Sequence, residues 1–360
     1  MIRIDIRPVW RFRGATEREF DFALVEILGA LDATGKLTHA AEKAGVSYRH
    51  AWNLVAEWEA FFGAPLVTKE RGRGSTLTAL GERLLWASRR AQARLAPELE
   101  NLAAETERAI NEPLRDDAAT LVLHASHDFA IGSLAAIAGG SGIALELQYK
   151  GSFDALAALR RGECDIAGFH VPEGALGDLM RQRFVEGLPA EAMHLVGFVT
   201  RTQGFMVRAG NPKGIRSVRD LVRPDVRLAN RQRGSGTRAL LEFLLSSEGL
   251  DRSRIQGYDT EESTHGAIAA LIAGQQADVG IGVEAAAAMY RLGFEPIATE
   301  RYFLACPRDA LDRPAVRTLL ALLRSAAFTQ AVGLLPGYSA PDAGRLIEVP
   351  GRPSPAATLP

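Results

Sequence analysis

Residues Leu37 to Val55 constrain the fold more than any other stretch, because they read as helix, glycine turn, helix. Ala40 and Ala41 are small enough for a second helix to cross nearby, Gly45 suits the tight turn, and Val46, Ala51 and Val55 recur where that second helix must pack inward. Ser47 stands at its start as an N-cap. Its N-terminal end then presents Ser47, Tyr48, Arg49, His50 and Asn53, where a recognition helix meets base edges and phosphates in a major groove. An earlier helical pattern of Phe22, Val25, Ile27, Leu28 and Leu31 closes at Gly35. After Pro65, the segment Lys69-Glu-Arg71-Gly-Arg73-Gly-Ser75-Thr-Leu77-Thr predicts a basic, glycine-rich hairpin that could lie on the phosphate backbone through Lys69, Arg71, Arg73 and Ser75. Between residues 36 and 94, ten Lys/Arg stand against five Asp/Glu, although the whole chain has a formal net charge of −1. Any nucleic-acid surface is therefore local to this head.

The head resembles the winged helix-turn-helix of the ModE family of molybdate-dependent regulators over residues 20 to 90. The likeness rests on Val46-Ser47-Tyr48-Arg49-His50-Ala51-Trp52 and on Arg71 to Gly81. LysR-type regulators share a similar, more distant layout. The resemblance implies a repressor or activator that binds near-palindromic operator DNA as a dimer.

From Thr78 to Ile110, Leu80, Leu84, Ala91, Leu95, Leu99, Leu102 and Ala103 recur at helical intervals, with Pro97 expected to kink or divide the helix. A narrow apolar seam beside charged residues calls for a partner, either a second subunit or the chain's own sensor. Asn111 to Asp117 then reads as a polar hinge.

With 360 residues and 47% hydrophobic content, the chain can bury sizeable cores in two or three domains. Cys164 and Cys306 are the two cysteines, too few for a disulfide framework or a four-thiol zinc site, which suits a reducing cytoplasm. The first residues, Met1 to Pro8, alternate apolar and charged like a strand rather than a signal peptide, and no uncharged apolar run of membrane-spanning length occurs.

The second half alternates short strands and helices. Leu121 to Asp128, a short buried strand running into a polar loop, Leu145 to Tyr149 and Cys164 to His170 predict parallel strands, and Ser126, Ser152 and His170 fall at their carboxyl ends, where ligands of such sheets bind. Two apolar segments, Leu195 to Thr200 and Gly204 to Val207, could cross into a second lobe. There Val226 to Asn230 would deliver Arg231-Gln-Arg-Gly234-Ser235-Gly236-Thr237-Arg238 at a helix start. Guanidinium, hydroxyl and free backbone donors at a helix N-terminus are the makings of an anion site.

This half resembles the type II periplasmic-binding-protein fold, in particular the domain found beside ModE-type heads. Tungstate-binding proteins of the TupA type are similar in their Ser/Thr loop, Gly-Ser/Thr loop and Arg…Ser-Gly-Thr loop, which match Ser126, Ser152, and Arg231 with Ser235 and Thr237. The chain departs from them in carrying Arg238 in place of His, and in Gly280-Ile-Gly282-Val-Glu284. The resemblance implies a tetrahedral oxyanion, molybdate or tungstate, as effector, wrapped by Ser126, Ser152, Arg231, Gly234, Ser235, Gly236 and Thr237, with His127 and His170 lining the pocket.

Other signals are weaker. Gly280-x-Gly282-x-x-Ala285 imitates a dinucleotide fingerprint without an acidic partner on a following strand. His124 and His127 point apart on a strand, so no protein-ligated metal and no cofactor is expected. No nucleophile, base and orienter set stands out. The expected fold is α/β with an N-terminal winged helix: a winged helix-turn-helix over 1–77, a linker and dimerisation helix over 78–112, a two-lobed type II periplasmic-binding-protein-like domain over 118–348, with its second lobe near 205–292, and a tail over 349–360. The expected function is a cytoplasmic, dimeric regulator sensing a small oxyanion. An organic effector such as a molybdenum-cofactor precursor, or an enzyme on the same fold with an accessory DNA-binding head, are the alternatives.

Overall fold

The computed structural model describes residues 2–14, 16–70, 74–111, 120–178 and 193–347. The alternating start forms no strand over residues 2–10. A hairpin follows instead, β1 (Arg11–Arg13) against β2 (Glu17–Glu19). The difference has a packing cause: Phe12 and Phe20 meet the buried Trp58 edge-on, at 5.4 and 5.0 Å between ring centroids, whereas the Ile2 and Ile4 backbone N–H groups donate to Asn111 and Glu107 far along the chain.

Three helices follow: α1 (Ala23–Thr34), α2 (Leu37–Lys43) and α3 (Tyr48–Phe62). Gly35 ends α1 in the left-handed region at φ 65°, where a side chain would be strained, and Ser47 starts α3 by accepting the His50 N–H at 3.1 Å. Leu24, Leu28, Ala51, Val55 and Trp58 are buried between the three helices. The wing is the antiparallel pair β3 (Val67–Glu70) and β4 (Gly74–Leu77).

Helix α4 (Ala79–Asn111) is continuous through Pro97. The expected division does not occur, because the carbonyl that Pro97 cannot bond, that of Ala93, accepts the Thr264 hydroxyl at 2.9 Å. The apolar seam is split between two surfaces: Leu84 and Ala103 are buried in the chain's own core, while Leu95, Leu102 and Ile110 stay exposed.

The rest is a two-lobed α/β domain on one large mixed sheet. Strands β5 (Thr120–Ala125), β6 (Ala144–Tyr149) and β7 (Ile166–Pro172) pair in parallel, as alternating strands and helices require. Two strands of 15 residues each, β8 (Met193–Val207) and β12 (Gly293–Pro307), are antiparallel to each other and run from one lobe into the other. β8 is thus a single strand where two segments are expected. Between them lie β9 (Asn230–Arg231), paired in parallel with β10 (Glu261–Glu262), and β11 (Val279–Val283) on the edge of β8. Strands β13 (Tyr338–Ser339) and β14 (Leu346–Ile347) return to β8. Helices α5 (Phe129–Ala138), α8 (His265–Ala273), α9 (Glu284–Met289), α10 (Pro314–Leu323) and α11 (Ala326–Gly333) supply one core of the sheet, and α6 (Ser152–Arg160) and α7 (Gly236–Ser247) the other. The Gly280/Gly282 pair is explained by this packing. A Cβ on Gly280 would meet the Ile268 side chain at 2.3 Å and one on Gly282 the end of the Met206 side chain at 2.5 Å, so the first glycine lets α8 approach β11 and the second leaves room for Met206.

Candidate functional site

The crossing strands carry a polar row through an otherwise apolar sheet. Register places Tyr302 opposite His170 on one side and Val199 on the other, Glu300 opposite Arg201, and Ala298 opposite Gln203. Residues paired directly across a ladder share a face, and positions two apart on a strand do too. His170, Tyr302, Glu300, Arg201 and Gln203 therefore lie on one face of β7, β12 and β8. All are buried.

Arg201 is compensated. Its guanidinium donates to Glu300 at 2.9 Å and to Asp128 at 2.6 Å, and Asp128 also accepts the Tyr338 hydroxyl at 2.8 Å and the Ala130 N–H at 2.8 Å, capping α5. Burial works against the Arg201 charge, but Glu300 and Asp128 hold its pKa above the ordinary arginine value. Arg231 is different. Its guanidinium donates to the Gln232 side chain at 3.2 Å and to the Ser263 carbonyl at 2.8 Å, both neutral groups. Loss of water, reinforced by the nearby Arg201 charge and only partly offset by Glu300, lowers its pKa to about 10. At neutral pH it remains a cation without a carboxylate of its own among the described residues.

The imidazoles around it are held neutral. Burial, then the Arg201 and Arg231 charges, push His170 well below the ordinary histidine value, and burial followed by Arg231 does the same to His265. His127 is also lowered, chiefly by burial, and its ring sits 4.9 Å from that of Tyr149. Several of these polar atoms have no hydrogen-bond partner among the described residues: His170 Nε2, His265 Nδ1, both amide atoms of Gln203, and Glu300 Oε1. Unsatisfied buried polar atoms are rare, and so many in one place mark a site built to meet something else.

The expected ligand residues are distributed unevenly about this cluster. His170, His127 and Arg231 belong to it by position and by mutual electrostatic influence. Ser126 follows β5 with its backbone amide toward the Tyr302 hydroxyl, and the Ser152 hydroxyl accepts the His170 N–H at 3.4 Å. Gly234, with φ 83°, Ser235, Gly236 and Thr237 make the turn into α7, where Ser235 accepts the Arg238 N–H at 3.1 Å and Thr237 is buried. Their recorded tie to Arg231 is through backbone, since Arg238 donates to the Arg231 carbonyl at 3.3 Å while pairing with Glu242 and Glu261 and lying 4.1 Å over the Tyr258 ring. Arg238 thus braces the lobe.

Sequence reading missed Arg201, Gln203, Glu300 and Tyr302, whereas His265, at a helix start, can be placed by sequence either in the cleft or in a structural role. The detectable signal was charge inside each largely apolar run, Arg201 within Met193 to Val207, and Glu300, with Glu295 and Arg301, within Gly293 to Pro307. Buried charges on strands demand a partner, and Arg201 and Glu300 are each other's. His124 lies elsewhere, near Gln148 and Lys150, and among the described residues no group of three or more His, Cys, Asp or Glu is placed to hold a metal ion.

In the head, Tyr48, Arg49, His50 and Asn53 are all exposed on the N-terminal half of α3, on one side with Ser47. Ser75 is half-buried on β4 opposite Lys69 of β3, and Arg71 and Arg73 lie outside the described residues.

Helix α4 joins head to sensor and touches both lobes. Toward the second lobe, Arg90 pairs with Glu262 at 2.6 Å, Thr264 donates to the Ala93 carbonyl, and Ser263 donates to that of Arg94 at 3.3 Å. Toward the first, Asn101 exchanges two hydrogen bonds with the Tyr149 backbone at 2.6 and 3.1 Å, and Arg108 pairs with Glu146 at 2.7 Å. Pro97 falls between the two sets of anchors. Beside it a cavity of about 480 Å³ is lined by Glu26 and Lys43 of the head, Arg89 and Gln92 of α4, and His127 and His265 of the cluster.

Comparison with known proteins places this architecture. Residues 134–324, more than half of the chain, match the PBP superfamily domain, and the chain belongs to that superfamily. Residues 22–82 match the bacterial regulatory helix-turn-helix of the lysR family. YvgK of Bacillus subtilis (strain 168) is 32% identical over 200 residues, 56% of this chain and 64% of YvgK, so the match spans less than two thirds of that relative. The molybdenum-pterin-binding protein MopB of Rhodobacter capsulatus is 37% identical over 67 residues, 18% of this chain and 25% of MopB. Among solved structures, an H2O2-bound OxyR mutant of Corynebacterium glutamicum is 16% identical with a TM-score of 0.45, covering 88% of this chain and 94% of its own. CbnR complexed with its target DNA is 17% identical with a TM-score of 0.40, covering 86% and 100%. No helix of the described residues is long and apolar enough to cross a membrane.

Proposed function

We propose that the protein is a cytoplasmic one-component transcription regulator whose head binds operator DNA and whose cleft senses a small anion. The observation that carries the sensor reading is Arg231: a half-buried guanidinium without a carboxylate partner among the described residues, next to an arginine already neutralised by two. A partly desolvated cation of this kind is stabilised when an anion arrives. Ser126, Ser152 and the turn from Gly234 to Thr237 would add neutral donors around it. The ModE-like head and the 67 residues similar to MopB make molybdate and tungstate the first ligands to test. A second reading, an organic effector such as a molybdenum-cofactor precursor, is favoured by the cavity of about 480 Å³ beside His127 and His265, which far exceeds one oxyanion.

The head reading rests on the exposed row of Ser47, Tyr48, Arg49, His50 and Asn53 and on the match to a bacterial regulatory helix-turn-helix. The exposed Leu95, Leu102 and Ile110 on α4 supply a seam for a homodimer, as two DNA half-sites require. Coupling follows from α4. A ligand that binds closed lobes more tightly than open ones displaces the two sets of anchors relative to each other, bends α4 at Pro97 and moves the head. Two variants separate the parts. Arg231→Ala abolishes the anion response and leaves DNA affinity intact, whereas Arg49→Ala weakens DNA binding by about 1–3 kcal/mol without touching the sensor; a variant that damages both functions equally contradicts the division of labour.

A further inference from the structure

Molybdate, tungstate and sulfate are all acceptor, so they can satisfy only donors. The polar row offers more than donors. Gln203 is fully buried with both amide atoms unpartnered among the described residues, and whichever way the amide is turned it presents one donor and one acceptor. Glu300 is fully buried as well. Its Oε2 is occupied by Arg201, but Oε1 has no donor among the described residues, and as the ion-pair partner of Arg201 it can only accept. The two stand on neighbouring strands and the same face, opposite Ala298 and Arg201 respectively. His170, His265 and Tyr302 can each present a donor or an acceptor and so adapt to either kind of ligand. Glu300 cannot.

We infer that the effector carries hydrogen-bond donors as well as negative charge, with its anionic oxygens on Arg231 and an O–H or N–H of the same molecule donating to Glu300 and Gln203, which makes these two residues the specificity determinants of the cleft. This deepens, and rests on, the reading of the cleft as an anion site. A bare oxyanion would set its own oxygens against Glu300 Oε1, acceptor against acceptor. A site that hydrogen-bonds a donor of its ligand rejects the analogue lacking it, because the buried acceptor is left unpaired.

The test is calorimetric titration of the full chain at about pH 6.5 with inorganic phosphate, sulfate and molybdate, tetrahedral anions of which only phosphate keeps a proton to donate. Phosphate is expected to bind about ten- to a hundredfold tighter than the other two. Glu300→Gln, whose amide can donate, is expected to cut that preference to below about threefold by admitting sulfate and molybdate. Gln203→Leu, which spares the Arg201–Glu300 pair and serves if the first variant does not fold, weakens phosphate more than sulfate. Sulfate or molybdate binding as tightly as phosphate, with Arg231→Ala abolishing both, overturns the donor requirement and leaves the anion site standing. A phosphate preference unchanged in both variants removes Glu300 and Gln203 from the role. Binding of none of the three anions, or binding indifferent to Arg231→Ala, overturns the anion reading and this inference with it.

Discussion

Replacing Thr264 by alanine tests how the linker helix is fastened to the sensor. The Thr264 hydroxyl does two things at once: it accepts the Ala267 N–H at 3.0 Å, capping α8, and it donates to the Ala93 carbonyl at 2.9 Å, the one group in α4 that Pro97 leaves without its helical donor. Loss of a threonine N-cap costs about 1 kcal/mol. The second hydrogen bond adds about another 1 kcal/mol, since no other donor of α4 can take its place. Thr264→Ala should therefore destabilise the sensor by about 2 kcal/mol, or about 4–8 °C in unfolding midpoint for a domain of this size. Thr264→Ser keeps both bonds and should stay within about 1 kcal/mol of the parent. The assay is thermal unfolding followed by circular dichroism, with the parent and both variants side by side. A serine variant as unstable as the alanine variant would show that the methyl group, rather than the hydroxyl, matters, and a loss below about 0.5 kcal/mol would refute the account of why α4 survives Pro97.

Two further predictions concern other parts of the molecule. Burial, followed by the charges of Lys150 and Arg108, lowers the pKa of His124 to about 4 against an ordinary value of 6.5, while Glu163 and a hydrogen bond donated by the imidazole to Gln148 oppose the shift. The unfolded chain then binds the proton more readily, so stability is full above about pH 6.5 and falls toward pH 4, by at most about 3 kcal/mol from this one group; His124→Asn should flatten that slope in urea titrations taken at several pH values, and an identical slope would contradict it. Leu102→Asp places a charge in the exposed seam of α4 and should shift the proposed dimer to monomer in analytical ultracentrifugation, while an unchanged sedimentation coefficient would contradict a dimer held by this seam.

The head was legible because its signals are local. Helical periodicity, Gly35 and Gly45 at the turns and Ser47 at the cap lie within a few residues of the structure they specify, and each is read from its neighbours alone. The polar cluster was legible where it too is local, at Arg231 beside its glycine turn and at His127 and His170 by the ends of predicted strands. Its floor was not, because Arg201 and Glu300 are 99 positions apart and become a pair only through the antiparallel register of β8 and β12. The serines at strand ends were visible, but the strands that place them against the crossing pair were not. The linker helix failed for a related reason. Its seam could be seen, yet what covers part of it, Glu262, Ser263 and Thr264, stands more than 150 residues further on, and sequence spacing cannot tell a docking surface on the same chain from one on a second subunit.

If the cleft captures an anion through Arg231, as proposed, an anion stabilises the folded chain only while that side chain is present. Thermal unfolding of the full chain and of Arg231→Ala against phosphate, sulfate, molybdate and tungstate tests it most directly, because a ligand at a hundred times its dissociation constant adds about 2.7 kcal/mol. The account predicts that at least one of these anions raises the midpoint of the parent protein and none raises that of the variant. Equal shifts in both proteins, or no shift with any anion, would contradict it.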